Sequence, residues 1–128
     1  MLSKAPIAAT FPFQGLKSAQ DFYTQKVGLR LISGSVEDGY LEFEAGEHTT
    51  LDVFESDSRK SDDTGATFEV DDLAAEMKEL RARGIRFEEY DLPGVKTVNG
   101  VATMGTHKGA WFKDPAGNVI GLHQRSSP

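Results

Sequence analysis

Apolar and polar positions alternate from Ile7 to Phe13, setting Ala9, Phe11 and Phe13 on one face and Ala8, Thr10 and Pro12 on the other. That two-residue period predicts a strand. The period then lengthens: Leu16, Ala19, Phe22/Tyr23 and Val27 recur at helical spacing and Gly28 is a natural stop, so an amphipathic helix is expected over Lys17 to Val27. Strands are expected at Leu29 to Ser33 and Tyr40 to Glu44, joined by the turn Glu37-Asp38-Gly39. Ala45-Gly46-Glu47 then turns the chain into Thr50 to Phe54. The order is β-α-β-β-β.

Glu55 to Thr64 is charged and lacks apolar residues, which reads as a surface linker. The pattern then restarts. Ala66 to Val70 is a strand, Asp71-Asp72 a capping site, and Leu73, Met77 and Leu80 mark a helix that Gly84 ends before a strand at Ile85 to Tyr90. Gly84-Ile85-Arg86-Phe87 lies 56 positions after Gly28-Leu29-Arg30-Leu31, and Leu73 lies 57 after Leu16. A repeated supersecondary unit is stronger evidence than any single motif. The second copy departs from the first between Asp91 and Lys108, which is longer than its counterpart and has no helical period, although one part of it, Lys96 to Met104, reads as a strand. A binding loop or lid and an insertion into a tolerant surface turn both fit that segment. Gly109-Ala110-Trp111-Phe112, the turn Asp114-Pro115-Ala116-Gly117-Asn118 and the strand Val119 to His123 make a closing hairpin.

Composition narrows the function more than the fold. With 128 residues, 38% of them hydrophobic, the chain fits one compact domain. No apolar run approaches membrane-spanning length and the N-terminal stretch lacks the apolar core of a secretory signal, so a cytoplasmic protein without a membrane partner is expected. The absence of cysteine removes thiolate nucleophiles, disulfides and thiolate metal sites. A formal charge of −6 argues against nucleic acid, whose binding draws on clustered Lys and Arg. The glycines at 94, 100, 105 and 109 follow no phosphate-loop pattern, and no GxSxG nucleophile is present.

The DPAGN turn near the C-terminus, the Phe22-Tyr23 to Gly28-Leu29 segment and the Val70-Asp71-Asp72-Leu73 to Leu80-Arg81-Ala82-Arg83-Gly84 segment together resemble the vicinal oxygen chelate superfamily. These are the glyoxalases, bleomycin-resistance proteins and extradiol dioxygenases. The likeness runs from about Ile7 to Gln124. It implies an α+β fold of two βαβββ modules, about residues 5–54 and 65–125 joined by a linker at 55–64, within one domain spanning residues 1–128. It also implies a curled, cup-shaped mixed sheet with helices outside, a ligand inside, and a homodimer.

Strand parity assigns the lining of such a cup. The helix-facing sets are Ala9, Phe11 and Phe13; Leu51 and Val53; Ala66, Phe68 and Val70; and Ile120 and Leu122. The opposite faces carry Ala8, Thr10 and Pro12; Thr50, Asp52 and Phe54; Gly65, Thr67 and Glu69; and Val119, Gly121 and His123. Of Trp111 and Phe112, one must face the core and the other the cavity or a dimer contact.

Metal-dependent relatives hold a divalent ion on the first and last strand of each module. The resemblance carries those positions onto Ala8, Asp52, Gly65 and Gly121, of which only Asp52 has a donor side chain. The expected function is therefore metal-independent binding of an organic small molecule, with no cofactor. The alternative is a metal-dependent lyase, isomerase or dioxygenase with a displaced site of Asp52, Glu69 and His123. Asp52 and Glu69 could also form an acid-base pair or hold a cationic group, and Tyr90, Met104 and His107 could close over a ligand. A third reading is a domain that regulates or scaffolds another protein.

Overall fold

A computed structural model describes residues 7–57 and 63–125, the side chains of Met104 and Arg125 excepted. Residues 58–62 of the expected linker lie outside the described residues. The chain divides between residues 60 and 61 into two compact units, each built on a mixed sheet that is not closed into a barrel. The architecture is α+β with two sheets and few helices. No helix among the described residues is long and apolar enough to cross a membrane.

The first unit runs β1 (Ala8–Phe13), α1 (Leu16–Asp21), β2 (Arg30–Ser35), β3 (Tyr40–Glu44) and β4 (Thr50–Glu55). Its sheet has the order β1-β4-β3-β2, with β1 parallel to β4 and the other pairs antiparallel. Alternation sorts its faces as expected. Phe11, Phe13, Leu51 and Val53 are buried with Leu41 and Phe43, while Ala8, Thr10 and Pro12 stand beside Thr50, Asp52 and Phe54 on the other face. Leu16, Ala19, Phe22 and Tyr23 supply the helical side of this core.

The expected helix over Lys17 to Val27 is not uniform. After Asp21 it widens into a π turn, Phe22–Lys26, in which the Val27 N–H donates to the Phe22 carbonyl five residues back at 3.1 Å. A wider turn absorbs one extra residue. This accounts for the offset between the two copies falling from 57 at the helix start to 56 at its end. It also lets the adjacent Phe22 and Tyr23 both reach the core, where their rings meet edge to face at 5.1 Å.

The second unit runs β5 (Thr64–Glu69), α2 (Leu73–Ala82), β6 (Asp91–Leu92), β7 (Val95–Val98), β8 (Val101–Met104), β9 (His107–Lys113) and β10 (Val119–Arg125). Sheet order is β5-β10-β9-β8-β7-β6, with β5 parallel to β10. Asp72 caps α2, its carboxylate accepting the Ala75 N–H at 3.1 Å. Gly84 ends it at φ 93, where the Ile85 N–H donates to the Leu80 carbonyl and the Gly84 N–H to the Arg81 carbonyl, both at 3.0 Å. Buried Leu73, Met77 and Leu80 complete the stripe expected for this helix.

Two expectations for this unit need correction. Ile85 to Tyr90 is not a full strand; it touches β9 through the single bridge Phe87 to Phe112 and the Glu88 N–H, which donates to the Trp111 carbonyl at 2.7 Å. The reason is competition for one edge, because β8 occupies the other end of β9 opposite His107 to Gly109. Lys96 to Met104 is not one strand but a hairpin, β7 and β8, turning at Asn99-Gly100 with both residues at positive φ. The segment 91–108 is therefore a meander, and it is anchored. Arg81 on α2 donates to the Asn99 carbonyl at 2.7 Å, and one Glu89 carboxylate oxygen accepts the Thr97 hydroxyl at 2.6 Å and the Gly100 N–H at 2.8 Å. These donors, with the Arg81 charge, hold the Glu89 carboxyl below its ordinary pKa.

Candidate functional site

In the second unit the face of the sheet turned from α2 is set by register. Glu69 and Thr67 on β5 stand beside His123 and Gly121 on β10, and Gly109 and Trp111 on β9 oppose the same two residues. The opposite face carries buried Ile120, Leu122, Ala110 and Phe112. Phe112 is thus the core member of the aromatic pair and Trp111 the other. A bulge between Val119 and Ile120 shifts Gly65 out of the alternation, pairing Thr64 with Val119 and Ala66 with Ile120.

A cavity of about 280 Å³ opens beside Trp111, lined by Asp63, Thr64, Tyr90, Leu92, Val95, Trp111 and Val119. Tyr90 meets the indole edge to face, with ring centroids 5.6 Å apart. The wall therefore combines two aromatics, three aliphatic side chains, a carboxylate and a hydroxyl. The indole lies against β10 as well. A Cβ at Gly121 would stand 3.1 Å from the Thr67 hydroxyl, closer than ordinary contact, and 3.4 Å from indole Cδ1 and Nε1, in ordinary contact. Thr67 and Trp111 are thus the neighbours of the side-chain position at residue 121.

Farther along the same face, Glu69, His123 and His107 form a chain. Nδ1 of His123 lies 2.8 Å from both Glu69 carboxylate oxygens, and its Nε2 lies 2.9 Å from Nδ1 of His107. The imidazole planes differ by 22° and the ring centroids are 5.0 Å apart. Two ring radii and the nitrogen contact nearly account for that distance, so the rings meet edge to edge and in line, not face over face. Both histidines are half-buried.

In the first unit, Ala8, Thr10, Thr50, Asp52 and Phe54 share one face, with Thr10 on β1 and Glu42 on β3 as the register partners of Asp52. One Asp52 carboxylate oxygen is buried without a hydrogen-bond partner. Among the described residues no group of three or more His, Asp or Glu side chains is arranged to hold a metal ion.

Of the residues expected to line a cup, Trp111 and Val119 reach the cavity, Thr67 and Gly121 support the indole, and Glu69 and His123 join His107. Leu92 and Val95 were missed because Asp91 to Lys108 showed no helical period, although Val98-Asn99-Gly100-Val101 is a strong hairpin signal. No local signal could have paired His107 with His123, since their proximity arises from the β9-β10 register.

The fold recurs in solved structures. TnmS3, an antibiotic binding protein from Streptomyces sp. CB03234, is 26% identical with a TM-score of 0.69, over 98% of this chain and 99% of its own. A glyoxalase/bleomycin resistance protein from the same organism is 26% identical with a TM-score of 0.63, over 91% of this chain and 98% of its own. The fosfomycin resistance protein FosX from Mesorhizobium loti shares the fold at 13% identity, with a TM-score of 0.67 over 98% and 95% of the two chains. Comparison with curated proteins gives no significant match. The family pattern of the glyoxalases matches residues 9–122, nearly the whole chain, and the chain belongs to the Glyoxalase/Bleomycin resistance protein/Dioxygenase superfamily.

Proposed function

We propose that this protein binds an organic small molecule beside Trp111 without the help of a metal ion. The observation that carries this reading is the aromatic-walled cavity itself. Ligand sites are concave and mostly apolar with a few polar anchors, and about 280 Å³ suits a small ligand or one ring system of a larger one. The indole and phenol rings offer stacking surfaces, and Asp63 and Thr64 supply polar contacts. The likeness to an antibiotic binding protein at 26% identity supports the same class of ligand.

The donor set at the family's ion-binding positions does not fit a metal. Ala8, Gly65 and Gly121 carry no donor side chain, which leaves Asp52 as the sole donor among the four positions. The displaced set of Asp52, Glu69 and His123 fares no better on chemistry. Each His123 ring nitrogen already has a hydrogen-bond partner in line with it. The working form is taken to be a cytoplasmic homodimer, as the family resemblance implies.

Trp111 is the chain's one tryptophan, so its emission reports the cavity directly. Titration of the purified protein with a panel of aromatic antibiotics, in parallel with chelator and with added nickel, manganese, iron or zinc, tests the reading. The expected result is a saturable emission change at one ligand per chain that is the same in both series. Saturation that requires a metal would overturn the metal-free reading, and a silent indole across the panel would overturn the site.

A further inference from the structure

The Glu69-His123-His107 chain has no part in the cavity described above, yet its geometry restricts where protons can sit. A glutamate carboxylate only accepts, so Nδ1 of His123, at 2.8 Å from both oxygens, carries a hydrogen. The Nε2 of a neutral His123 is then a bare acceptor. The contact of 2.9 Å to His107 is a hydrogen bond only if His107 donates from its own Nδ1. A neutral His107 is left with a lone pair on Nε2, an atom with no partner among the described residues.

In-line nitrogens at this distance share a proton and not a metal. An ion between them would sit at half of 2.9 Å from each, well inside the roughly 2.0 Å that zinc requires. Among the described side chains of the strands paired around it, the charged ones nearest the chain are Glu69 on β5 and Lys108, adjacent to His107 on β9, and β8 carries none.

We infer that Glu69, His123 and His107 form a proton-accepting relay that receives a weakly acidic hydroxyl, a phenol or enol, at Nε2 of His107. When the hydroxyl gives its proton to Nε2, the hydrogen on Nδ1 of His107 crosses to Nε2 of His123. The ligand leaves as an oxyanion, His107 stays neutral, and the positive charge comes to rest on His123 against the Glu69 carboxylate. No other group is consumed. His107 and Trp111 lie on one face of β9, four residues or about 13 Å apart along the strand, so a single-ring phenol reaches one of them at a time and only a longer hydroxyl compound would touch both. The choice of ligand rests on the small-molecule reading above, whereas the relay stands on the hydrogen bonds alone.

Nitrogen NMR of the full-length, uniformly labelled protein near neutral pH decides the relay. Free imidazole favours the Nε2–H tautomer, and exposed His48 serves as an internal reference for it. Both His107 and His123 are expected as Nδ1–H tautomers, and His107 is expected to revert to Nε2–H in His123→Ala. An Nε2–H signal on either histidine of the unaltered protein, or no reversion in the variant, overturns the relay. Its acceptor role is read with 4-nitrophenol, whose anion absorbs in the visible, against 4-nitroanisole, which has no proton to give.

At about pH 6, saturating protein is expected to raise the anion band of the phenol, and His107→Ala to abolish it. Glu69→Gln keeps an acceptor for His123 but removes the charge. It is expected to preserve the tautomers and reduce the band roughly two- to fivefold, since Glu69 is largely exposed and its field is screened. An unchanged band in both variants, or none in the unaltered protein, overturns the acceptor role. Trp111 emission is recorded in the same cuvette. Loss of the band with an intact emission response removes the relay and leaves the cavity reading standing; the converse removes the cavity reading alone.

Discussion

Asp114→Ala should destabilise the protein more than any surface substitution, because the side chain organises the closing turn from inside. Asp114 is 4% exposed, as is Asn118. The Asp114 carboxylate accepts from the Ala116 N–H at 2.9 Å, the Asn118 N–H at 2.8 Å and the Asn118 side-chain amide at 2.7 Å. Alanine removes the acceptor for all three. Water can replace it at half-buried Ala116, but both Asn118 donors lose an ionised acceptor at a buried position. At about 1.5–3 kcal/mol for each hydrogen bond to a charged group, the expected loss is about 3–5 kcal/mol. That is a large share of the roughly 5–15 kcal/mol that holds a domain together. Asp114→Asn is milder, by about 1–2 kcal/mol, because a flip of the Asn118 amide can present its oxygen to the new NH2. Urea unfolding followed by Trp111 emission and by far-ultraviolet circular dichroism measures both variants. A loss below about 1 kcal/mol for Asp114→Ala, or equal losses for the two variants, would refute the reasoning.

Gly121→Ala is expected to cost about 1–2 kcal/mol, because its Cβ would press on the Thr67 hydroxyl, and clearly less in a Thr67→Ala background; additive losses in that double-mutant cycle would show that the contact is not the cause. The hairpin anchor at Glu89 should respond to acid in a defined direction. Its folded pKa is depressed, first by the Thr97 hydroxyl and next by the Gly100 N–H, so its stabilising contribution is complete above the unfolded pKa and is lost as pH falls through the folded one. The Gly100 amide resonance should accordingly titrate below the ordinary glutamate range, and a midpoint at or above that range would contradict the assignment.

Much of this architecture is legible because local and long-range preferences agree. The alternation at Ile7 to Phe13, the stripe Leu73-Met77-Leu80 and the turn chemistry of Asp114 to Asn118 each specify an element that packing then keeps. Even the π turn left a trace, as the single-residue difference between the two helix offsets. Asp91 to Lys108 was harder to read because its strands β6 to β8 have two to four residues, too short for a period to establish itself, and the Pro93-Gly94 and Asn99-Gly100 pairs mark turns without fixing the strands between them. Site residues were legible by face but not by partner. Counting parity puts His123 and Glu69 on the same side of their sheet, whereas the involvement of His107 depends on a register that no stretch of sequence contains.

The divided edge of β9 has a consequence for how such a protein can change. Phe87 holds one end of that strand and β8 the other, and the chain between them supplies Tyr90, Leu92 and Val95 to the cavity wall. Scaffold and selectivity therefore reside in separate stretches. On the binding reading proposed above, replacements at 92 or 95 would change the cavity wall while leaving the pairing of β5, β9 and β10 in place, so selectivity could drift separately from the scaffold.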